Sequence, residues 1–112
     1  MAAIHPSTDQ DVLAEVVRRI LSAGDPIKIV LFGSRARGDQ RPGSDLDILV
    51  IEEATLPRYR RAARYLRALA GLPIAKDVVV WTPEEVAAWA TVRHSFIATA
   101  LREGRALYAR PA

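Results

Sequence analysis

The apolar run Ile27–Phe32 stops at Gly33-Ser34, and ten residues later Asp45-Leu46-Asp47 opens a second apolar run, Ile48-Leu49-Val50-Ile51. Both runs are rich in branched residues, too short for helices and bounded by turn signals, so they read as strands. Side chains at i and i+2 of a strand share a face. Asp45 and Asp47 therefore converge on one spot while Leu46 and Ile48 turn into the core. Two same-side carboxylates beside a glycine turn constrain this chain more than any other feature, because only a narrow range of chemistry tolerates that arrangement.

The rest of the sequence frames these strands. Val12, Leu13, Val16, Val17, Ile20 and Leu21 recur at helical spacing, which predicts a helix over Asp9–Ser22 capped by Ser7 or Thr8 and ended by Gly24-Asp25-Pro26. Gly33–Gly38 should form a turn or short helix, and Asp39–Ser44, with Pro42-Gly43, a loop. The second strand is expected over Asp45–Ile51. Pro57 suits the first turn of a helix running to about Ala70 and closed by Gly71-Leu72-Pro73. A third strand is expected over Asp77–Trp81. Thr82-Pro83-Glu84-Glu85 is a strong start, with a Thr cap, Pro at the first position and Glu three residues after the cap, for a helix to about Ala90. A further helix over Ser95–Glu103, capped by Gly104, precedes a short strand at Arg105–Tyr108. This order predicts one α/β domain over residues 1–112, built around a small sheet.

Composition excludes several classes. The chain has 112 residues, half of them apolar, which suits one domain with a real core. There is no cysteine, so disulfides and thiolate metal sites are out. No run of about 18 apolar residues is present, so no membrane span is expected. Met1-Ala2-Ala3-Ile4-His5-Pro6 lacks the basic and apolar blocks of a signal peptide, and a cytoplasmic location is expected. Fourteen of the sixteen basic residues are arginine and the net charge is +3. Arginine suits phosphate and carboxylate recognition through its planar fork. An ordinary arginine-rich surface accounts for the charge equally well, so nucleic-acid binding does not follow from it.

Two carboxylates on one strand face can be surface residues, an acid–base pair or metal ligands. The otherwise apolar strand and the neighbouring Gly-Ser turn favour ligands. Like charges held close repel unless a cation neutralises them, and hard oxygen donors select Mg²⁺ or Mn²⁺, with Mg²⁺ keeping water and substrate phosphates in its shell. Two such ions about 3.5–4 Å apart serve phosphoryl and nucleotidyl transfer. Gly33 lets a phosphate approach the backbone, and the turn amides and the Ser34 hydroxyl can bond anionic oxygens. Arg35 and Arg37 are close enough in sequence to meet phosphate charge, or else are solvated loop residues. Gly33 and Gly38 have the glycine spacing of a P-loop, but Asp39-Gln40 stands where Lys-Ser/Thr is required. Arg37-Gly38-Asp39 has the form of an adhesion tripeptide and carries no weight in a cytoplasmic loop.

Gly33-Ser34-Arg35-Ala36-Arg37-Gly38, followed by Ser44-Asp45-Leu46-Asp47-Ile48-Leu49-Val50, resembles the signature of the DNA polymerase beta-type nucleotidyltransferases, most closely the small minimal nucleotidyltransferases. Asp77 before Val78-Val79-Val80 is similar to the family's third carboxylate, and Leu101–Tyr108 to its C-terminal stretch. The likeness runs from Ile27 over nearly all the remaining chain. It implies a small mixed sheet flanked by helices, and magnesium-dependent transfer of a nucleoside monophosphate from an NTP such as ATP, with two Mg²⁺ ions. It implies Asp45, Asp47 and Asp77 as catalytic metal ligands, and Gly33, Ser34, Arg35 and Arg37 at the nucleotide. Minimal members resemble antitoxins that attach AMP to a tyrosine of a partner HEPN-domain ribonuclease toxin. Two alternatives stay open: a non-catalytic antitoxin-like binding subunit, and a transferase acting on a small molecule such as an antibiotic.

Other residues have plainer readings. Arg58, Arg60, Arg61, Arg64 and Arg67 make the third helix basic: a solvated face, or a docking face for an acidic protein or RNA. His5 in the N-terminal segment and His94 in an interhelical loop are expected to be inert. Trp81, Trp89, Phe96 and Tyr108 read as core or interface anchors.

Overall fold

The computed structural model describes residues 6–41 and 43–111, with side-chain surroundings given from Gln10 onward. The readings for His5 and the first five residues, and for Pro42, fall outside them. The elements follow the order α1 (Pro6–Ala23), β1 (Lys28–Phe32), α2 (Ser34–Arg37), β2 (Leu46–Ile51), α3 (Arg58–Arg61), α4 (Ala63–Ala68), β3 (Lys76–Trp81), α5 (Pro83–Ala90), α6 (Phe96–Glu103) and β4 (Arg105–Ala109). The four strands form one mixed sheet in the order β3-β2-β1-β4. β1 pairs antiparallel with both β2 and β4, whereas β2 and β3 run parallel. The parallel pair is joined by a crossover through α3 and α4, as that geometry requires.

Helices cover both faces. Leu46, Ile48 and Val50 of β2 join Ile29, Leu31, Val78 and Val80 against Val16 and Ile20 of α1 and Tyr65 and Leu69 of the α4 segment. The alternate residues Val30, Leu49 and Ile51 pack against Ile97 and Ala100 of α6, bordered by Phe32, Val79, Trp81 and Val86. Burial on both faces explains why β2 is apolar without alternation after Asp47. Each fully buried Leu, Ile or Val contributes roughly 1.5–3 kcal/mol.

Two expectations change in detail. Helix α1 begins at Pro6, whose fixed φ suits a first helical position, so Ser7 and Thr8 lie within the helix rather than cap it. The single helix expected from Pro57 to Ala70 is divided at Ala62. Its two pieces follow different anchors. Arg61 bonds the Leu56 and Val80 carbonyls and, at 2.7 Å, Glu85 of α5, while Tyr65 is buried in the core and donates to Glu52 at the end of β2. Gly104 caps α6 as expected, with an extended backbone (φ −76°) whose N–H donates to the Ala100 carbonyl. Space is the reason for glycine there, since a Cβ would lie 2.6 Å from Val30 Cγ1 and strike the Ala100 carbonyl. The capping box at Thr82 and Glu85 forms as read, with Thr82 N–H donating to Glu85 at 2.8 Å.

Glu52 is the one buried charged side chain among the described residues, 3% exposed. It accepts hydrogen bonds from the Tyr65 hydroxyl and the Arg64 guanidinium. Burial pushes the Tyr65 phenol above its ordinary pKa, which keeps it a donor at neutral pH. Tyr65→Phe removes one partner of a buried carboxylate and should cost roughly 1–3 kcal/mol. Urea denaturation of the variant should show that loss.

Candidate functional site

The site is built where three strand ends meet. Phe32, the last residue of β1, is the register partner of Asp47 on β2, and Asp47 is the register partner of Asp77 on β3. Neighbouring strands lie about 4.8 Å apart, so Asp47 and Asp77 stand side by side on one face. Asp45, just ahead of β2, belongs to the same face by the period of two. That face also carries Leu49 and Ile51, and the α5–α6 layer covers it only farther along the strands. The carboxylates therefore emerge at its uncovered end, Asp45 and Asp77 exposed and Asp47 half-buried.

Gly33 closes the site. Its backbone (φ 78°, ψ −159°) lies in the left-handed half of the map, where glycine alone is at ease. A Cβ at Gly33 would collide with Asp47 Oδ2 and approach its Cγ to 3.2 Å. The missing side chain is thus the room in which the Asp47 carboxylate sits. From Gly33 the chain turns into α2, the Ala36 and Arg37 amides donating to the Gly33 carbonyl at 3.1 and 3.2 Å. Gly38 ends that turn in the αL conformation.

The two arginines of α2 do different things. Arg37 is exposed, donates to Asp39 at 3.2 Å and lies 3.7 Å from Glu103. Its charge is felt at Asp47, whose pKa it opposes raising. Arg35 instead clamps one carbonyl, its Nε and Nη2 donating to Ser44 O at 3.1 and 2.9 Å. Ser44 is the residue before Asp45, and its hydroxyl also accepts from the Arg41 amide at 2.8 Å. In this arrangement Arg35 positions the approach to the carboxylate strand. This partnership was missed in the sequence because nothing in the spacing links position 35 to the carbonyl of position 44.

Electrostatics show how tightly the carboxylates share the space. The Asp47 carboxyl is held above its usual range, first by loss of solvent and then by the charges of Asp77 and Asp45. Three oxygen acids with no nitrogen or sulfur donor make a hard set suited to magnesium or manganese. Among the described residues no three such side chains, as they stand, are gathered closely enough to hold an ion alone. The set thus fits an ion whose remaining positions go to water and phosphate oxygens, magnesium's usual habit.

The remaining candidates lie apart from this cluster. His94 sits in the turn between α5 and α6 with φ 65°. Trp81 lies under the Arg58 guanidinium, 3.9 Å from the ring centre, and Phe96 bridges Phe32 and Trp81 at 5.1 and 5.9 Å. These rings act as anchors between layers, as expected, although Trp89 and Phe96 remain 46% and 41% exposed. No helix among the described residues is long and apolar enough to cross a membrane.

This geometry agrees with the comparisons. The nucleotidyltransferase domain family matches residues 11–107, and the chain belongs to that family. It is a nucleotidyltransferase by that membership, which implies a nucleotide substrate and a divalent metal. Among solved structures it is similar to a toxin–antitoxin crystal structure with AMP-PNP, at 21% identity and a TM-score of 0.64, over 88% of this chain and 73% of that one. A mutant toxin–antitoxin structure, MntA–HpeT, matches at 19% identity and 0.61 over the same shares. A candidate nucleotidyltransferase from Sulfolobus solfataricus matches at 28% and 0.54, over 68% of this chain and 69% of that one. These likenesses bear out the expected fold of a small mixed sheet flanked by helices. No curated protein sequence matches the chain.

The raised Asp47 pKa has a stability consequence. A carboxyl that binds its proton more tightly when folded makes stability fall as pH rises from its ordinary value of 3.8 through the folded pKa. Asp47→Asn should therefore melt higher than the parent at pH 7 in EDTA and lose that advantage near pH 3. Thermal melts at the two pH values check this, and saturating Mg²⁺ with ATP should raise the parent's melting temperature far more than the variant's.

Proposed function

We propose that this chain transfers the adenylyl group of ATP, with magnesium, to a tyrosine hydroxyl of a HEPN-domain toxin and so serves as that toxin's antitoxin. The observation that carries the catalytic half is the alignment of Gly33, Asp47 and Asp77 across three strand ends. The partner half is supported by the two toxin–antitoxin neighbours of the same fold, one of them holding the ATP analogue AMP-PNP.

In this reading Asp45, Asp47 and Asp77 would hold the metal, two magnesium ions by the family resemblance. Bound magnesium neutralises phosphate charge and lowers the pKa of a hydroxyl or water near it. The backbone amides of the Gly33-Ser34 turn and the Ser34 hydroxyl bind the phosphate tail beside Asp47, which fills the space a side chain at Gly33 would take, and Arg37 adds positive charge beside it. Arg35 holds Ser44 and hence Asp45 in place. Asp77 is exposed on the edge strand β3, open to an incoming acceptor. The acceptor oxygen bonds to the α-phosphorus, the bond from that phosphorus to the β-phosphate oxygen breaks, and pyrophosphate leaves. The hydroxyl proton passes to the Asp77 side of the site. The substrate is held in line by groups already in register, which is where most of the rate arises.

Calorimetry should show ATP binding with Mg²⁺ and little in EDTA. Asp45→Asn or Asp47→Asn should lose transfer by at least about a hundredfold while remaining folded. Asp77→Ala should still bind Mg²⁺–ATP yet fail to transfer. Mass spectrometry of the toxin-class protein encoded beside this chain, co-expressed with it, should show added AMP. An unmodified partner in the presence of active-site residues and ATP overturns the transfer reading in favour of inhibition by binding alone.

A further inference from the structure

We infer that the groove between the β2 exit segment and the α3–α4 helices is a docking surface for an acidic, partly apolar face of the protein partner, separate from the carboxylate site. This rests on the reading of the chain as a transferase acting on a protein. The groove has a volume of about 780 Å³ and is lined by Leu56, Tyr59, Arg60, Arg61, Arg64 and Arg67, with Glu52 and Glu53 at the end of β2. It begins at the end of β2 opposite Asp47, roughly 16 Å along the strand. Its occupant therefore leaves the carboxylates free.

The charges in the groove divide into committed and available ones. Arg61 is held by Glu85, Arg58 by Glu85 and the Trp81 ring, and Arg64 by Glu52. These pairs fix the helices: Arg61 first, then the Thr82 cap and Arg58, hold the Glu85 carboxyl at about 2. No described residue pairs with the Arg60 or Arg67 side chain, and both are exposed. In the same groove Tyr59 stands 86% exposed and Leu56 49% exposed. An exposed tyrosine sharing a groove with available arginines has the residue types enriched at protein-interface hot spots, with Leu56 adding apolar surface.

The same details weigh against nucleic acid. Two available arginines give few phosphate contacts, and binding to a nucleic-acid backbone grows with their number. A protein surface with one or two carboxylates around an apolar centre meets the available arginines at its rim and covers Tyr59 and Leu56 at its core.

The test uses the full chain and the separately purified protein encoded beside it. Arg60→Glu with Arg67→Glu should weaken their binding at least tenfold by calorimetry and raise KM for adenylyl transfer while leaving kcat at saturating partner unchanged. Tyr59→Ala should weaken binding to a similar degree with less dependence on salt. Melting curves should match the parent, because none of the three side chains pairs with a described residue. Parent-like affinity and KM in both variants, with the partner still modified, overturns the docking surface and leaves the transfer reading standing. Absence of any binding by the parent chain overturns both. Binding of a single-stranded 12-nucleotide RNA by the parent, lost in the charge-reversal variant while protein binding persists, reassigns the groove to nucleic acid and likewise overturns the proposal.

Discussion

Everything at the candidate site depends on one steric fact: the Asp47 carboxylate occupies the volume in which any other residue than glycine would place a Cβ at position 33. That contact joins the end of β1 to the start of β2. It sets how close a phosphate bound at the turn can come to the carboxylate strand. Its left-handed backbone at Gly33 is also the conformation that swings the chain into α2. The antiparallel register of β1 on β2 and the parallel register of β3 on β2 then bring Phe32, Asp47 and Asp77 into one row. Shifting either pairing by one residue sends the aspartate to the opposite, fully covered face.

The layers around the sheet serve this arrangement unevenly. One face is sealed by α1 and α4 and carries no carboxylate of the cluster. The other is sealed by α6 only beyond Leu49 and Val30, so hydrophobic packing anchors the strands while their ends stay open. The cost is visible in Asp47, half-buried among like charges and held above its usual pKa. Free carboxylates with mutual repulsion are poor at stabilising a fold but suited to receiving a cation. Site and stability thus pull in opposite directions at the same residue, and the apolar remainder of β2 offsets the strain.

A second framework ties the basic helices to the body of the molecule. Glu85 serves α5 as the reciprocal partner of its Thr82 cap and, through Arg61, also holds α3. Glu52 takes Arg64 and Tyr65 at the other end of the same stretch. With Arg58, Arg61 and Arg64 engaged in this way, three of the five arginines of this run tie the helices to the body of the molecule. Arg60 and Arg67 are the two that pair with no described residue.

The sequence by itself determined the strands, their apolar interiors, the Gly-Ser turn and the pairing of Asp45 with Asp47, because these follow from local periodicity and turn chemistry. It also marked Asp77 through the resemblance, and the capping box through residues only three apart. The division of the third helix at Ala62, the Arg35 clamp on Ser44 and the Arg61–Glu85 bond were not legible. Each joins groups whose separation in the chain carries no periodic signal. Only the tertiary structure decided that β3 lies parallel beside β2, which carries Asp77 to Asp47 from thirty residues away. Strand neighbours are chosen by the whole core that their burial completes, and no local window of sequence contains that choice.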